Sequence, residues 1–231
     1  MPTVQPKRPL AVAFDVNETL FNLETLRDNF TGLGLPVRAM EWWFAVILRD
    51  GFALASTGDY TQFSTLVESA LEEVLIASGM DTNPGATEAI LVEFSKLKPH
   101  PDVERSFALL TQAEIPMFTL TNGSAALTEK LLGQARLQHF IKRKLSVDAV
   151  ALWKPRPEPY HYAADQAGVP PEALALVAVH PWDIHGATKA GLVTGWINRG
   201  GRSYPRSFEP PSLQSSSLTN LVEQLIGLPL R

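Results

Sequence analysis

The sequence predicts an α/β protein with a parallel β-sheet core and an inserted all-helical segment. Two observations carry this prediction. Short apolar runs alternate with segments of helical length from residue 101 onward, which is the pattern of βαβ units. Between residues 21 and 98, by contrast, the apolar residues follow helical spacing and no convincing strand occurs. We therefore predict a core of residues 1–20 and 99–231, with a cap domain of residues 21–98.

The first apolar run ends on a carboxylate. Residues 10–14 predict a strand that is buried on both faces, and Asp15 follows directly. The carboxyl ends of parallel strands border the ligand crevice, so Asp15 is expected to face a ligand. Thr19 either caps the following turn or hydrogen-bonds into the site. The alternative is that Asp15 only caps a loop, and it loses weight because three later segments repeat the pattern.

Four helices are predicted in the insertion, at residues 21–30, 40–55, 63–75 and 86–97. The second is apolar nearly all round, so it should be covered on more than one side. The third has the i, i+3, i+4, i+7 spacing of an amphipathic helix. These helices are expected to cover the crevice at Asp15.

The remaining chain alternates between the two element types. Strands are predicted at residues 115–121, 144–147, 174–179 and 193–198. Helices are predicted at residues 102–113, 124–137, 157–167, 184–190 and 218–226. The stretch 200–217 is rich in Gly, Pro and Ser and predicts a surface loop.

Composition excludes several functional classes. The chain has 231 residues, 45% of them hydrophobic and 19% charged, which is typical of a globular protein. A net charge of -4 favours neither nucleic acid nor an anionic membrane as a partner. The absence of cysteine excludes disulfides and thiolate chemistry. No apolar run reaches membrane-spanning length and the polar N-terminus lacks a signal core, so we expect a cytoplasmic location.

Polar groups follow four of the predicted strands. Asp15 follows the first, the segment Thr121-Asn122-Gly123-Ser124 the second, Lys154 the third and Asp183 the fourth. Taken singly, the later three have ordinary explanations as a turn, a loop residue and a helix N-cap. In a parallel sheet all four would converge on one crevice and form a joint site.

On these residues the chain resembles the haloacid dehalogenase superfamily, and within it the type II L-2-haloacid dehalogenases. The resemblance covers essentially the whole chain and implies a Rossmann-like core, a four-helix cap and catalysis between the two. The matching positions are Asp15, Thr19, Thr121-Asn122-Gly123-Ser124, Lys154-Pro155, Tyr160, Trp182-Asp183 and Gly186-Ala187.

The resemblance implies a role for each of these side chains. Asp15 would be the nucleophile that displaces halide and forms an aspartyl ester, and Lys154 would keep it ionised. Asp183 would orient or deprotonate the water that hydrolyses the ester. The other implied roles are holding the carboxylates and the substrate for Thr19, Thr121 and Tyr160, and binding the halide for Asn122.

One departure helps to choose the reaction. Phosphatases of the superfamily carry a second Asp two residues after the nucleophile, and here that position is Asn17. Asn17 cannot act as their general acid and is assigned instead to the substrate site. The acidic residues near Asp183 are also few for a Mg²⁺ site, so neither metal nor cofactor is expected. Two alternatives to dehalogenation of a small 2-halocarboxylate remain. One is a phosphatase or another small-acid hydrolase of the same fold, and the other is a non-catalytic binding or regulatory protein.

Other departures concern the cap and the last motif. The family's cap arginine is replaced by Phe44, with Arg49 or Arg27 as candidate substitutes. His180 replaces a family Asn, and it either helps to activate water or is a packed neutral imidazole. Aromatic side chains at helical spacing are usually core, but a cap over a small substrate also needs some in its pocket; we assign Phe44, Phe63 and Trp182 there. Relatives in the subfamily are often dimers, so a homodimer is also implied.

Overall fold

The computed structural model describes residues 5–82 and 84–231, and its centre is a six-stranded sheet. All neighbouring strands are parallel, in the order β3-β2-β1-β4-β5-β6. The strands are β1 Ala11–Phe14, β2 Met117–Thr121, β3 Ile141–Ser146, β4 Leu174–Ala178, β5 Val193–Ile197 and β6 Leu213–Ser215. The predicted α/β class is confirmed.

The order of the strands creates a crevice at the end of β1. The chain builds β2 and β3 on one side of β1, then crosses over to place β4, β5 and β6 on the other. The loops after β1 and β4 therefore diverge, and a ligand site is expected outside their carboxyl ends. Asp15 is the first residue after β1.

Both faces of the sheet are covered, which explains why the strands are continuous apolar runs. On β1, Val12 and Phe14 join a large cluster that includes helices α5 Val103–Gln112 and α9 Leu218–Ile226. Ala11 and Ala13 join a second cluster on the other face. Three further core helices lie between α5 and α9 in the sequence: α6 Ala125–Gln134, α7 Pro157–Ala167 and α8 Pro181–Lys189.

Helices follow β1 where the insertion was predicted. They are α1 Arg27–Gly32, α2 Ala39–Thr57, α3 Phe63–Ala77 and α4 Pro84–Phe94, and a 3₁₀ helix at Leu23–Leu26 precedes α1. α2 packs along α3, and the fully buried Trp43 of α2 donates its indole N–H to the Val67 carbonyl at 3.1 Å. The described residues of this stretch contain no strand, and the division into core and cap domains stays a prediction.

The predicted loop at 200–217 is wrong in one detail. Leu213–Ser215 forms β6, which pairs in parallel with β5 at the edge of the sheet. A strand of three partly exposed residues has too few positions to show an apolar pattern, so composition alone indicated a loop. Within the described ranges, no helix is both long enough and apolar enough to cross a bilayer.

Candidate active site

Lys154 is the centre of a buried polar cluster at the carboxyl ends of β1 and β2. Its ammonium donates to Asp15 Oδ1 at 3.0 Å, to Asp183 Oδ2 at 2.7 Å and to the Leu120 carbonyl at 2.9 Å. These three bonds use all three N–H donors of the side chain. Lys154 has no exposed surface, so the charge it brings to the two carboxylates is poorly screened by solvent.

Asn122 holds Lys154 in place through the main chain. The Lys154 amide donates to Asn122 Oδ1 at 2.9 Å, and Asn122 Nδ2 donates a longer bond of 3.4 Å to the Lys154 carbonyl. The loop after β2 thereby fixes the loop that carries the lysine, although the two residues are 32 positions apart. Asn122 was predicted to bind halide, and in this structure its amide is bonded to Lys154.

Asp15 is held at both carboxylate oxygens. The Thr19 hydroxyl donates to Oδ2 at 2.7 Å, while Lys154 occupies Oδ1. The Val179 amide donates to the same hydroxyl at 3.1 Å, which orients it toward Asp15. Burial raises the pKa of Asp15, but the charges of Lys154 and His180 and the Thr19 bond outweigh it, so the pKa lies below its ordinary value. The geometry therefore favours an ionised Asp15.

Asp183 shares Lys154 but has the opposite shift. It has no exposed surface, and Tyr160 donates to its Oδ1 at 2.7 Å. Burial raises the pKa of Asp183, Lys154 lowers it, and the nearby negative charge of Asp15 raises it again; the result is a raised pKa. Two carboxyl groups whose pKa values are separated by their surroundings can take different roles in one reaction.

Two predicted residues shape the loops of the site. The Thr121 hydroxyl accepts from the Gly123 amide at 2.9 Å, and among the described hydrogen bonds it has none to Asp15 or Asp183. Asn17 is nearly buried, and its side-chain nitrogen lies beside Gly123. Their predicted contacts to substrate remain predictions.

His180 lies beside Asp15 with its Nε2 facing three oxygen atoms. The distances are 3.2 Å to the Asn17 carbonyl, 3.5 Å to Glu18 Oε2 and 3.7 Å to Asp15 Oδ2. A carbonyl can only accept, so the first contact assigns the hydrogen to Nε2. This nitrogen is therefore a donor near Asp15, and the predicted help of His180 in activating water stays a prediction.

Three rings cover the site. Phe44 stacks on His180 with ring centroids 6.0 Å apart, and Trp182 stacks on His180 with ring centroids 5.2 Å apart. Phe52 meets the edge of Trp182 at 5.0 Å. Phe63 packs on Phe94 and Trp153, and its predicted place in the substrate pocket stays a prediction. As the first residue of α3, it points into the aromatic core between the helices.

The two arginines considered as substitutes for the family's cap arginine are paired elsewhere. Arg49 is more than half exposed and forms ion pairs with Asp50 and Glu73. Arg27 forms ion pairs with Glu24 and Glu41. Acidic neighbours on the helix surfaces hold both guanidinium groups, so neither substitution is supported.

The donor set was also tested for a metal site. Among the described residues, no group of three or more His, Asp or Glu side chains is arranged to hold a metal ion. The two buried carboxylates are instead bridged by the ammonium of Lys154. The residues present thus provide their own counter-ion.

Two residues near the site were missed by sequence reasoning. Arg199 follows β5, forms a two-pronged pair with Asp102 at 2.9 and 3.0 Å, and donates to the Thr19 carbonyl at 3.2 Å. The rule that polar residues follow strand ends would have found it if applied to the fifth strand. Glu18 lies next to His180 at a left-handed backbone position, φ 60°, which sequence does not reveal.

The chain is similar in sequence to known proteins. A sequence model of the family described as haloacid dehalogenase-like hydrolase matches residues 9–191. The chain is 28% identical to (S)-2-haloacid dehalogenase 2 of Pseudomonas sp. (strain CBS-3), over 91% of this chain and 93% of that one. It is 25% identical to haloacetate dehalogenase H-2 of Moraxella sp. (strain B), over 89% and 92%.

A solved structure gives the same fold. The L-2-haloacid dehalogenase of Xanthobacter autotrophicus, with chloropropionic acid covalently bound, superposes with a TM-score of 0.85. The identity is 23%, and the match covers 95% of this chain and 99% of that one. The Rossmann-like core with its helical insertion is therefore shared.

Proposed function

The chain belongs to the haloacid dehalogenase-like hydrolases, and from that premise we propose that it hydrolyses the carbon–halogen bond of small 2-haloacids through an ester on Asp15. One observation carries the proposal. Asp15 is a buried carboxylate at the end of β1, held ionised by Lys154 and Thr19. The dehalogenase relatives support the choice of substrate class.

In the first step Asp15 attacks the carbon that bears the halogen. The new bond joins a carboxylate oxygen to Cα, and the halogen leaves with the bonding electron pair as halide. The leaving group needs no proton, which fits Asn17 at the position where phosphatases of the superfamily carry an acid. Attack from the side opposite the halogen inverts the configuration at Cα.

In the second step water hydrolyses the ester. Water attacks Cγ of Asp15, its proton passes to Asp183, and the bond from Cγ to the product oxygen breaks. The raised pKa of Asp183 makes it a stronger base than an exposed carboxylate. The proton then completes the hydroxyl group of the 2-hydroxyacid. Asp15 is left with the second proton of water on its new oxygen and releases it to solvent, which regenerates the carboxylate.

The surroundings supply positioning and exclusion of water. Phe44 and Trp182 pack near His180, which lies beside Asp15, and we propose that these rings exclude water from a short acid bound there. We assign the polar contacts to substrate and halide to Asn17, Thr121 and Asn122, and support of the Asp183 carboxylate to Tyr160. The helices of residues 21–98 act as the cap. We also propose a cytoplasmic enzyme that forms a homodimer.

A halide-release screen tests this function. Short 2-chloro-, 2-bromo- and 2-fluoroacids are incubated with the enzyme, with and without a chelator, and free halide is measured. We expect release that does not respond to chelator in the wild type and none in Asp15→Asn. Asp165→Asn, an exposed aspartate of α7, is the matched control and should retain activity. Turnover of phosphate monoesters that requires Mg²⁺, without halide release, would contradict the proposal.

A further inference from the structure

Glu18 adopts a backbone conformation that a glutamate rarely takes. Its φ is 60°, in the left-handed region that glycine occupies without strain. Neighbours hold it there: the Glu18 amide donates to the Phe21 carbonyl at 2.8 Å, and His100 Nε2 donates to the Glu18 carbonyl at 2.9 Å. A strained residue that contacts the active site suggests a function for its side chain.

The Glu18 carboxylate faces the imidazole of His180. Its Oε2 lies 3.5 Å from His180 Nε2, the nitrogen that donates to the Asn17 carbonyl. Phe44 and Trp182 stack near the same ring, with centroids 6.0 and 5.2 Å from that of His180. Glu18 and the Asn17 carbonyl therefore orient the Nε2–H, and the two rings limit the space in which the imidazole can turn.

The same Nε2–H lies next to one particular oxygen of Asp15. Oδ2 already accepts from Thr19 at 2.7 Å and lies 3.7 Å from His180 Nε2, whereas Oδ1 is bonded to Lys154. Oδ2 thus has the Thr19 hydroxyl and the His180 Nε2–H on its side, and we assign the attack on carbon to Oδ1. After attack, Oδ2 becomes the carbonyl oxygen of the ester.

We propose that Thr19 and His180 form the oxyanion site for hydrolysis of the Asp15 ester, with Glu18 as the positioning residue that holds the imidazole. This inference rests on the proposed function. When water attacks Cγ, negative charge moves to Oδ2, and the two donors meet it. The intermediate collapses by breaking the bond from Cγ to Oδ1, and the product alkoxide takes the proton that water gave to Asp183.

The fall in kcat on losing one such donor is of known magnitude. Removing a single donor from an oxyanion hole typically lowers kcat by about 10²–10³-fold. Because the donor acts on the ester, the loss should fall on the second step and leave release of halide in the first step nearly unchanged. The ester should then accumulate on the protein.

Pre-steady-state halide release and intact-protein mass spectrometry test this together. His180→Phe keeps a ring in the stack and removes the N–H, and Glu18→Gln removes the charge that orients it. We expect a burst of about one halide per site. The rate of the slow phase should fall about 10²-fold in His180→Phe and less in Glu18→Gln. The mass of the protein should increase by that of the substrate less hydrogen halide. Glu114→Gln is the control, because Glu114 shares the left-handed backbone, φ 57°, in the turn before β2. It should behave as wild type.

The possible results distinguish failure of the oxyanion role from failure of the proposed function. Slow halide release without a burst or an adduct in both variants would overturn the oxyanion role, as would wild-type kinetics in both. A Glu18→Gln variant with wild-type kinetics would overturn the positioning role of Glu18 alone. A wild-type enzyme that releases no halide would instead overturn the proposed function.

Discussion

Replacing Lys154 with methionine should expose how strongly the two carboxylates depend on it. The ammonium bridges Asp15 and Asp183 at 3.0 and 2.7 Å with no exposed surface. Methionine fills a similar volume but leaves two buried carboxyl groups without a counter-ion. Removing one partner of a buried ion pair typically costs about 3–5 kcal/mol, so the free energy of unfolding should fall by about that amount near pH 8.

The loss of stability should depend on pH. Its direction follows from the number of protons that the folded and unfolded states bind. In the wild type the lowered pKa of Asp15 adds stability above its ordinary value of 3.8, and this stability is lost as the pH falls through the folded value. Without Lys154, burial and mutual repulsion raise the pKa of both carboxyls. The folded variant then binds more protons than the unfolded chain, so its stability falls as the pH rises through the raised folded values.

Urea unfolding at pH 5 and pH 8 measures the effect. Lys96→Met is the matched control, because Lys96 pairs with Glu93 on the surface and such pairs contribute about 0–1 kcal/mol. If Lys154→Met does not fold at pH 8, adding Asp183→Asn should restore folding, because one buried charge is removed. Equal stability of Lys154→Met and the wild type at both pH values would refute this account of the cluster.

Three further outcomes follow from the same structure. Gly51→Ala should lower the free energy of unfolding by about 1–3 kcal/mol in urea titrations, because its Cβ would lie 2.4 Å from the ring of Trp153. Gly133 lies on α6 with open space around the Cβ position, so Gly133→Ala should raise the free energy of unfolding by about 0.5–1 kcal/mol. Equal effects at the two glycines would contradict the close approach. Tyr160→Phe removes a bond that lowers the pKa of Asp183, so the acidic limb of the pH–kcat profile should move to higher pH; an unchanged or lower limb would contradict it. Dialysis against chelator should leave kcat for halide release unchanged, and restoration by added Mg²⁺ would argue for a metal site.

The sequence was most informative where burial dictates residue type. The strands around β1 are covered on both faces, so runs such as Leu174–Ala178 are apolar throughout and stand out from the helices. The polar residues after them could be assigned to one crevice because parallel strands end at the same edge. Asp15, Lys154 and Asp183 do meet at this edge, where the ammonium of Lys154 is hydrogen-bonded to both carboxylates.

Contacts between distant segments were beyond the reach of sequence. Nothing local indicates that Asn122 binds the main chain of Lys154, or that Phe63 packs on Trp153 and lies apart from the ring stack. The left-handed conformation of Glu18 depends on a hydrogen bond from the distant His100. In the sequence, therefore, nothing distinguishes Glu18 from an ordinary surface glutamate. Tertiary packing decides these details.

The central claim is that the oxygen of Asp15 becomes bonded to substrate carbon. It is tested most directly by a single turnover in ¹⁸O-labelled water with enzyme in excess over a 2-haloacid, followed by mass analysis of the peptide that contains Asp15 and of the product. The account predicts that the label enters the Asp15 carboxylate and that the first product carries unlabelled oxygen. Label in the product, with none in Asp15, would mean that water displaces the halide directly and would contradict the account.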